Sequence, residues 1–273
     1  MRIAAFCVRL TLLCLLLGAG SIFAYSQEID IVDSDDIPIE EKILYSHQTT
    51  FRITAQSQGF GLGFNIGRIK NIHSTRIWDF EITNLFSWKN VRLTNPYTRG
   101  AKPFVYGKLN NVLVVRAAYG DQRRITGKPY WGGVEMRLVY QGGLSLAIMK
   151  PYYYYVLTVV TDETGHTTEM YDYQTFDHRD EWIDIIGRAP FSEGFKGIKV
   201  SPGVNFRVGL NFEFAKSEAS VRSLECGAML DVYPMGVKLM ADLGEKTVWK
   251  EIQKRAYLLF YISFNIGYRY NKY

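Results

Sequence analysis

Phe60–Ile69 reads FGLGFNIGRI, with Phe60, Leu62, Phe64 and Ile66 at every second position and Gly61, Gly63, Asn65 and Gly67 between them. A period of two belongs to a β-strand, whose side chains point alternately to the two faces of a sheet. One face of this segment is large and apolar; the other carries almost no side chain. A phosphate-binding glycine loop would open a helix, but here the alternation simply runs on, so the glycines belong to a strand.

The same pattern recurs along the chain. Gln48–Ala55 sets Phe51, Ile53 and Ala55 against Arg52 and Thr54, and Arg76–Trp88 sets Trp78, Phe80, Ile82, Phe86 and Trp88 against Asp79, Glu81, Thr83 and Ser87. Asn110–Tyr119 is less regular, with Leu113, Val115, Ala117 and Tyr119 opposite Arg116. From Val134 to Ile148 one phase (Met136, Leu138, Tyr140, Leu144, Leu146) survives Gly142–Gly143, with Glu135, Arg137, Gln141 and Ser145 opposite. A two-residue hairpin at the glycine pair would invert that phase, so the segment is one continuous strand. Val204–Phe214 alternates with Asn205, Arg207, Gly209, Asn211 and Glu213. Val221–Val232 sets Leu224, Cys226, Ala228 and Leu230 against Glu225, Gly227, Met229 and Asp231. Leu258–Tyr270 sets Phe260, Ile262, Phe264, Ile266 and Tyr268 against Ser263, Asn265, Gly267 and Arg269. These segments predict an all-β fold of about eight strands. No stretch after the first two dozen residues has the 18 or so consecutive apolar residues of a membrane helix.

A soluble barrel with an apolar inside would alternate in the same way, and the contents of the faces decide between the two. Side chains fill the narrow interior of an eight-stranded barrel, so the bulky residues fit outside and the small polar ones inside. A soluble exterior would be rich in Lys and Glu. The polar face instead carries both signs: Asp79, Glu81, Glu135, Glu213, Glu225 and Asp231 with Arg52, Arg116, Arg137, Arg207 and Arg269. Buried charges persist when they are paired. The expectation is a lumen charge network, more structural plug than ion or proton path, inside a closed antiparallel up-and-down transmembrane barrel. Aromatic residues near strand ends, Trp88, Tyr119, Tyr130, Trp131, Tyr152 to Tyr155, Tyr233, Tyr257, Tyr268 and Tyr270, predict an aromatic girdle at the membrane surfaces.

The connections agree with this. With both termini on one side, the turns at Asn71–Thr75, Gly120–Tyr130 and Ala215–Ser220 share that side and are short or of medium length. The opposite side takes a tight hairpin at Gln56–Gly59 and long loops at Lys89–Leu109, Thr158–Gly203 and Tyr233–Ala256. Bacterial outer-membrane barrels show this asymmetry, with the long loops extracellular.

The address is consistent too. Arg2 and Arg9, the apolar run Leu10–Leu17 and the small residues Gly18, Ala19, Gly20, Ser21 and Ala24 predict an export signal over residues 1–24. Cys14 follows Leu13, where a lipid-attachment site would carry a small residue. Residues 25–46, which include EIDIVDSDDIPIEE, predict a flexible acidic periplasmic leader ahead of a barrel over 47–273. Loss of Arg2 and Arg9 leaves 30 basic against 27 acidic residues, too even a balance for a nucleic-acid partner. Cys7 and Cys14 leave with the signal, so Cys226 stands alone and no disulfide framework exists.

Candidates for chemistry are thin. His47, His73, His166 and His178 lack metal-ligand spacing and read as loop histidines. A lipid hydrolase would need His166 or His178 beside a nucleophile such as Ser192, a matter of geometry rather than composition. Asp162, Glu163, Asp177, Asp180 and Glu181 offer oxygen ligands in a long acidic loop, without EF-hand spacing. Short helices are predicted near Asp180–Ile186 and near Lys246–Arg255, where Val248, Trp249 and Ile252 have helical spacing among Lys246, Lys250, Lys254 and Arg255. The second would lie on the barrel rim or touch lipid-A phosphates.

The block Trp131–Tyr152 (WGGVEMRLVYQGGLSLAIMKPY), together with the terminal strand ending in Tyr273, resembles small bacterial outer-membrane β-barrel proteins of the OmpX and PorT size class. That resemblance implies a barrel and a Gram-negative outer-membrane address, and it carries over no catalytic residues. PorT-like relatives are linked to secretion, so it also implies a secretion accessory role as one possibility. The sequence therefore leads to a non-enzymatic envelope barrel with a plugged lumen and long loops, without cofactor or metal. Its expected partners are outer-membrane lipid, lipopolysaccharide and an envelope protein. The competing readings are a lipid-modifying barrel enzyme and a narrow pore.

Overall fold

The computed structural model describes residues 45–87, 90–98, 101–127, 133–161, 167–176, 184–215, 217, 219–241 and 251–271. The signal segment 1–24 and nearly all of the leader 25–46 lie outside the described residues. The strands are β1 (His47–Gln56), β2 (Gly59–Asn71), β3 (Ser74–Leu85), β4 (Arg92–Leu93), β5 (Phe104–Val105), β6 (Asn110–Thr126) and β7 (Glu135–Pro151). They continue as β8 (Tyr153–Thr161), β9 (Thr167–Thr175), β10 (Ile185–Arg188), β11 (Lys199–Glu213), β12 (Ser220–Ala241) and β13 (Glu251–Tyr270). Eight of them close into one antiparallel barrel in the order β1-β13-β12-β11-β7-β6-β3-β2, with β1 pairing both β2 and β13. This is the all-β, up-and-down, eight-stranded closure that the alternation predicts. No helix among the described residues is long and apolar enough to cross a membrane, which says nothing of a β-barrel.

Closure decides what can surround the barrel. Every wall strand has a partner on both sides, which satisfies backbone N–H and C=O groups even where no water reaches them. The outward face then sets the solvent. Phe51, Ile53, Phe64, Trp78, Phe80, Ile82, Phe206, Val208, Phe264 and Ile266 are all exposed on it. Arg52, Arg116 and Arg207 are buried inside, at 0%, 1% and 4% relative exposure. On β13 the outward apolar positions run ten residue steps, from Leu258 to Tyr268. At roughly 3.3 Å per residue and a tilt of roughly 40°, that is a band about 25 Å tall, the height that outer-membrane barrels present to lipid. An apolar belt of that extent around a closed ring is a lipid-facing surface.

Some strands are longer than predicted. β6 runs on to Thr126, β11 starts at Lys199, β12 continues to Ala241 and β13 begins at Glu251. Tyr233–Ala241 and Glu251–Ala256 are therefore wall, not loop. β12 runs through Pro234 and Gly236, past the expected strand end at Val232. β12 keeps its β11 partner only as far as Val204↔Val232, and its pairing with β13 jumps from Val232 to Val237. Pro234 thus removes a donor where no ladder bond is required, and Gly236 takes the left-handed backbone (φ 67°) of the irregularity. The helix expected near Lys246–Arg255 is replaced by strand from Glu251 onward; 242–250 lie outside the described residues. Likewise Ile185–Arg188 is a strand rather than the end of a helix, and 177–183 lie outside them.

β1 begins and β13 ends at one end of the barrel, the termini end, with His47 paired to Tyr270. At that end the connections span 72–73, 127–134 and 214–219; at the far end they span 57–58, 86–109, 152–198 and 242–250. The two longest carry structure of their own, the β4–β5 hairpin and a three-stranded sheet in the order β10-β8-β9.

If lipid meets the outward face, Phe80→Arg at mid-band is predicted to destabilise the barrel by about 2–4 kcal/mol. Urea unfolding in phospholipid vesicles checks this; a change below roughly 0.5 kcal/mol, typical of a surface substitution in water, would contradict a lipid environment there.

Candidate functional site

The functional candidate is the lumen, which the inward positions fill in three layers. At the end carrying the termini, Glu213 accepts from Arg269 at 2.5 Å and faces Arg137 at 3.5 Å. Glu135 accepts from Arg137 at 2.7 Å and lies 3.7 Å from Arg124. Arg269 also reaches Gln48 Oε1 at 3.3 Å.

The middle layer is a denser knot. Glu81 receives Arg52 at 2.7 Å, Arg116 at 2.8 Å and Arg207, together with Gln56 at 2.7 Å and Thr83 at 2.9 Å. Asp79 receives Arg52 at 2.6 Å and Arg207 at 3.1 Å, and Asp231 receives Arg116 at 2.6 Å. Each of the three arginines therefore bridges two carboxylates, and five different strands contribute, β1, β3, β6, β11 and β12. Glu225 sits beside the knot, taking Tyr261 Oη at 2.8 Å and Asn211 Nδ2 at 3.1 Å, while the Arg207 guanidinium lies 4.8 Å from the centre of the Tyr261 ring. The small inward residues make this possible. A Cβ at Gly63 would stand 3.1 Å from the Arg52 guanidinium, and one at Gly209 would stand 2.3 Å from Tyr261 Oη. The glycines that drew attention in the sequence are the space into which arginine and tyrosine fold.

Toward the far end the lumen turns apolar. Leu85, Val112, Val114, Ala147, Met149, Met229, Tyr233, Val237, Leu239, Met240, Tyr257, Leu259 and Tyr261 pack as one buried cluster. A strap crosses the mouth above it. Leu109 N donates to Leu239 O at 3.0 Å, Ala241 N to Gly107 O at 2.8 Å and Asn110 Nδ2 to Lys238 O at 2.8 Å. These bonds join the approach to β6 to the end of β12, two strands that are not neighbours in the barrel. A second cluster, Phe104, Tyr154, Val156 and Ile185, lies beneath the β10-β8-β9 sheet. Tyr154 Oη donates to Val105 O at 2.6 Å and accepts from Lys108 N at 2.9 Å. Burial, with Arg92 nearby, pulls the Lys108 ammonium below the usual lysine range.

The sequence-expected residues fall into place unevenly. Asp79, Glu81, Arg116, Arg207, Glu225 and Asp231 meet in the middle layer; Glu135, Arg137, Glu213 and Arg269 form a separate group at the termini end. Arg124 joins that second group and was not anticipated, because it lies past the expected end of its strand.

Of the expected girdle, Tyr119 and Tyr268 are exposed on the barrel wall, Tyr119 against Trp78 at 4.8 Å and Tyr268 against Tyr270 at 5.6 Å. Tyr154 corrects the expectation: at 1% exposure it is a core residue of the far-end cap, with Tyr152 half-buried against it at 4.9 Å. Tyr233 and Tyr257 point into the lumen and contact each other at 6.1 Å. Trp88, Tyr130 and Trp131 lie outside the described residues, as do His166, His178, Asp162, Glu163, Asp177, Asp180 and Glu181. His47 stacks on Tyr270 at 5.7 Å, with Ser46 Oγ 2.9 Å from its Nδ1. Among the described residues no three His, Cys, Asp or Glu side chains gather into a metal-binding group. The upper lumen had a readable signal: Val112–Val115 and Tyr257–Ile262 are apolar on both faces, so one face has to pack inward.

No family model and no curated protein matches the sequence. Solved structures do. Neisserial surface protein A is similar at 10% identity and a TM-score of 0.37, over 82% of this chain and 96% of that one. The attachment invasion locus protein Ail of Yersinia pestis, solved with the heparin analogue sucrose octasulfate, is similar at 9% identity and 0.35, over 82% and 95%. The N-terminal β-barrel domain of Pseudomonas aeruginosa OprF is similar at 9% and 0.32, over 81% and 96%. The membrane assignment rests on this chain's own exterior and lumen, not on those likenesses.

Removing the hub should cost more than any single contact. Glu81→Leu leaves three buried guanidiniums short of a carboxylate and is predicted to destabilise the barrel by about 3–5 kcal/mol. Urea titration in vesicles reads this, and a loss under roughly 1 kcal/mol would show that the knot is not a stabilising hub.

Proposed function

We propose that this chain is a non-enzymatic outer-membrane barrel with a closed lumen, whose far-end loops form a folded binding platform on the outside of the cell. The observation that carries the closed lumen is the pairing of Arg52, Arg116 and Arg207, each with two carboxylates, beneath a continuous apolar layer and a strap. An ion crossing the barrel would have to break charge pairs held in a low-dielectric interior and then pass a dry cluster of methionine, leucine and tyrosine. Transmembrane barrels with an even strand number and long loops on one side belong to the bacterial outer membrane, with those loops extracellular. The platform reading is supported by the loops' own core around Tyr154 and by Tyr171 and Tyr173, exposed on β9 and packed against Tyr155 at 5.7 and 5.4 Å.

Planar-bilayer recording tests the closed lumen. The wild-type chain is predicted to give no steady open channel, while Met229→Gly/Tyr257→Gly/Tyr261→Gly, which thins the apolar layer, raises conductance. A steady wild-type conductance would replace this reading with that of a narrow pore.

A further inference from the structure

The outward face of the termini end holds charges that the lumen does not use. Strand register places Tyr270, His47, Arg68, Arg76, Asp121 and Tyr140 at successive paired positions across β13, β1, β2, β3, β6 and β7. The neighbouring paired positions toward the apolar band are Tyr268, Thr49, Ile66, Trp78 and Tyr119. Arg68 and Arg76 thus stand directly opposite each other, one step beyond the point where the band ends in Trp78 and Tyr119. Both are exposed, and neither makes an ion pair or hydrogen bond among the described residues. Lys70 follows Arg68 on the same face of β2, and Arg123, with a side chain 66% exposed, flanks them on β6.

Like charges at directly opposed sheet positions destabilise the pair. The carboxylate in this row, Asp121, stands opposite Arg76 but forms no ion pair with it: it accepts from Ser74 Oγ at 2.8 and 3.0 Å and from Tyr140 Oη at 3.4 Å, and lies 4.0 Å from Arg123. Two exposed guanidiniums side by side with no ion pair among the described residues, at the depth where an apolar band gives way to water, match an anion that membranes supply at that depth. Guanidinium binds phosphate oxygens through paired N–H donors, and aromatic side chains such as Trp78 favour the headgroup region beside it. We infer that Arg68 and Arg76, flanked by Lys70 and Arg123, form a site for the headgroup phosphate of an anionic phospholipid in the leaflet on the termini side. The inference rests on the reading of the chain as a membrane barrel.

The test reconstitutes the full chain into phosphatidylcholine bilayers with spin-labelled phosphatidylglycerol or spin-labelled phosphatidylcholine and compares the motionally restricted fractions. The wild type is expected to prefer phosphatidylglycerol roughly threefold, as a few basic residues near a membrane surface allow. Arg68→Gln/Arg76→Gln is expected to fall toward parity, while Arg92→Gln in the far-end loops keeps the preference. A double variant with undiminished preference overturns the site. Replacing chloride by inorganic phosphate at matched ionic strength separates the two sources of phosphate: an unchanged wild-type preference supports a lipid ligand, and its collapse to the double-variant level overturns that assignment in favour of free phosphate. Failure of the wild type to insert at all would overturn the membrane reading and the site together, whereas insertion without a preference overturns the site alone.

Discussion

A sheet surrounded by lipid can leave no backbone donor or acceptor unpaired, and the pairing of β1 with both β2 and β13 meets that demand by leaving the barrel wall without an edge. The rest of the structure follows from closing so small a ring. Eight strands enclose a space barely wide enough for side chains. Whatever points inward must be small, or must find partners across the lumen, and whatever is bulky and apolar is turned out. Phe64 and Phe80 therefore face outward at paired positions, while Gly63 and Glu81 face inward one step along. In water this arrangement would expose a belt of phenylalanine and isoleucine. In lipid the same belt is the natural boundary.

The interior solves its own problem differently at its two ends. Near the termini and through the middle, arginines and carboxylates neutralise each other across strands that are distant in sequence, as Arg116 does with Asp231. Such pairs gain little net stability over an apolar filling, because desolvating the charges offsets most of their attraction. Their consequence is register: a one-residue slip of any contributing strand would turn its charge into lipid. Nearer the far end, tyrosine, methionine and leucine pack in the lumen, and the strap from Gly107 to Asn110 is hydrogen-bonded across to the end of β12.

The strands were legible because a half-buried strand has a period that survives single irregular residues. Gly142–Gly143 did not interrupt the phase, and β7 is indeed continuous there. The faces were legible because Arg52, Asp79 and Glu81 share the small side of their strands. What could not be read has physical causes. Pro234 and Gly236 imitate a turn inside β12, because an irregular ladder tolerates the residues that a turn requires. Tyr154 looks like an interfacial tyrosine from its neighbours, yet its hydroxyl is claimed by Val105 and Lys108, residues some fifty positions away in a different loop. Non-local contacts of that kind leave no periodic trace. The apolar upper lumen did leave one, in segments such as Tyr257–Ile262 that are greasy on both sides.

The most direct measurement is the depth of Phe264, in the middle of the outward face of β13. With Cys7, Cys14 and Cys226 all replaced by Ser as background and a nitroxide at position 264, collision rates with oxygen and with a water-soluble nickel complex report the solvent at that site. Frequent collisions with oxygen and almost none with nickel, against frequent nickel collisions for a label at the exposed loop residue Tyr97, is the result expected of a lipid-facing barrel. Nickel collisions at position 264 matching those at 97 would mean that water, not lipid, bathes the wall, and the inside-out arrangement described above would have no membrane to explain it.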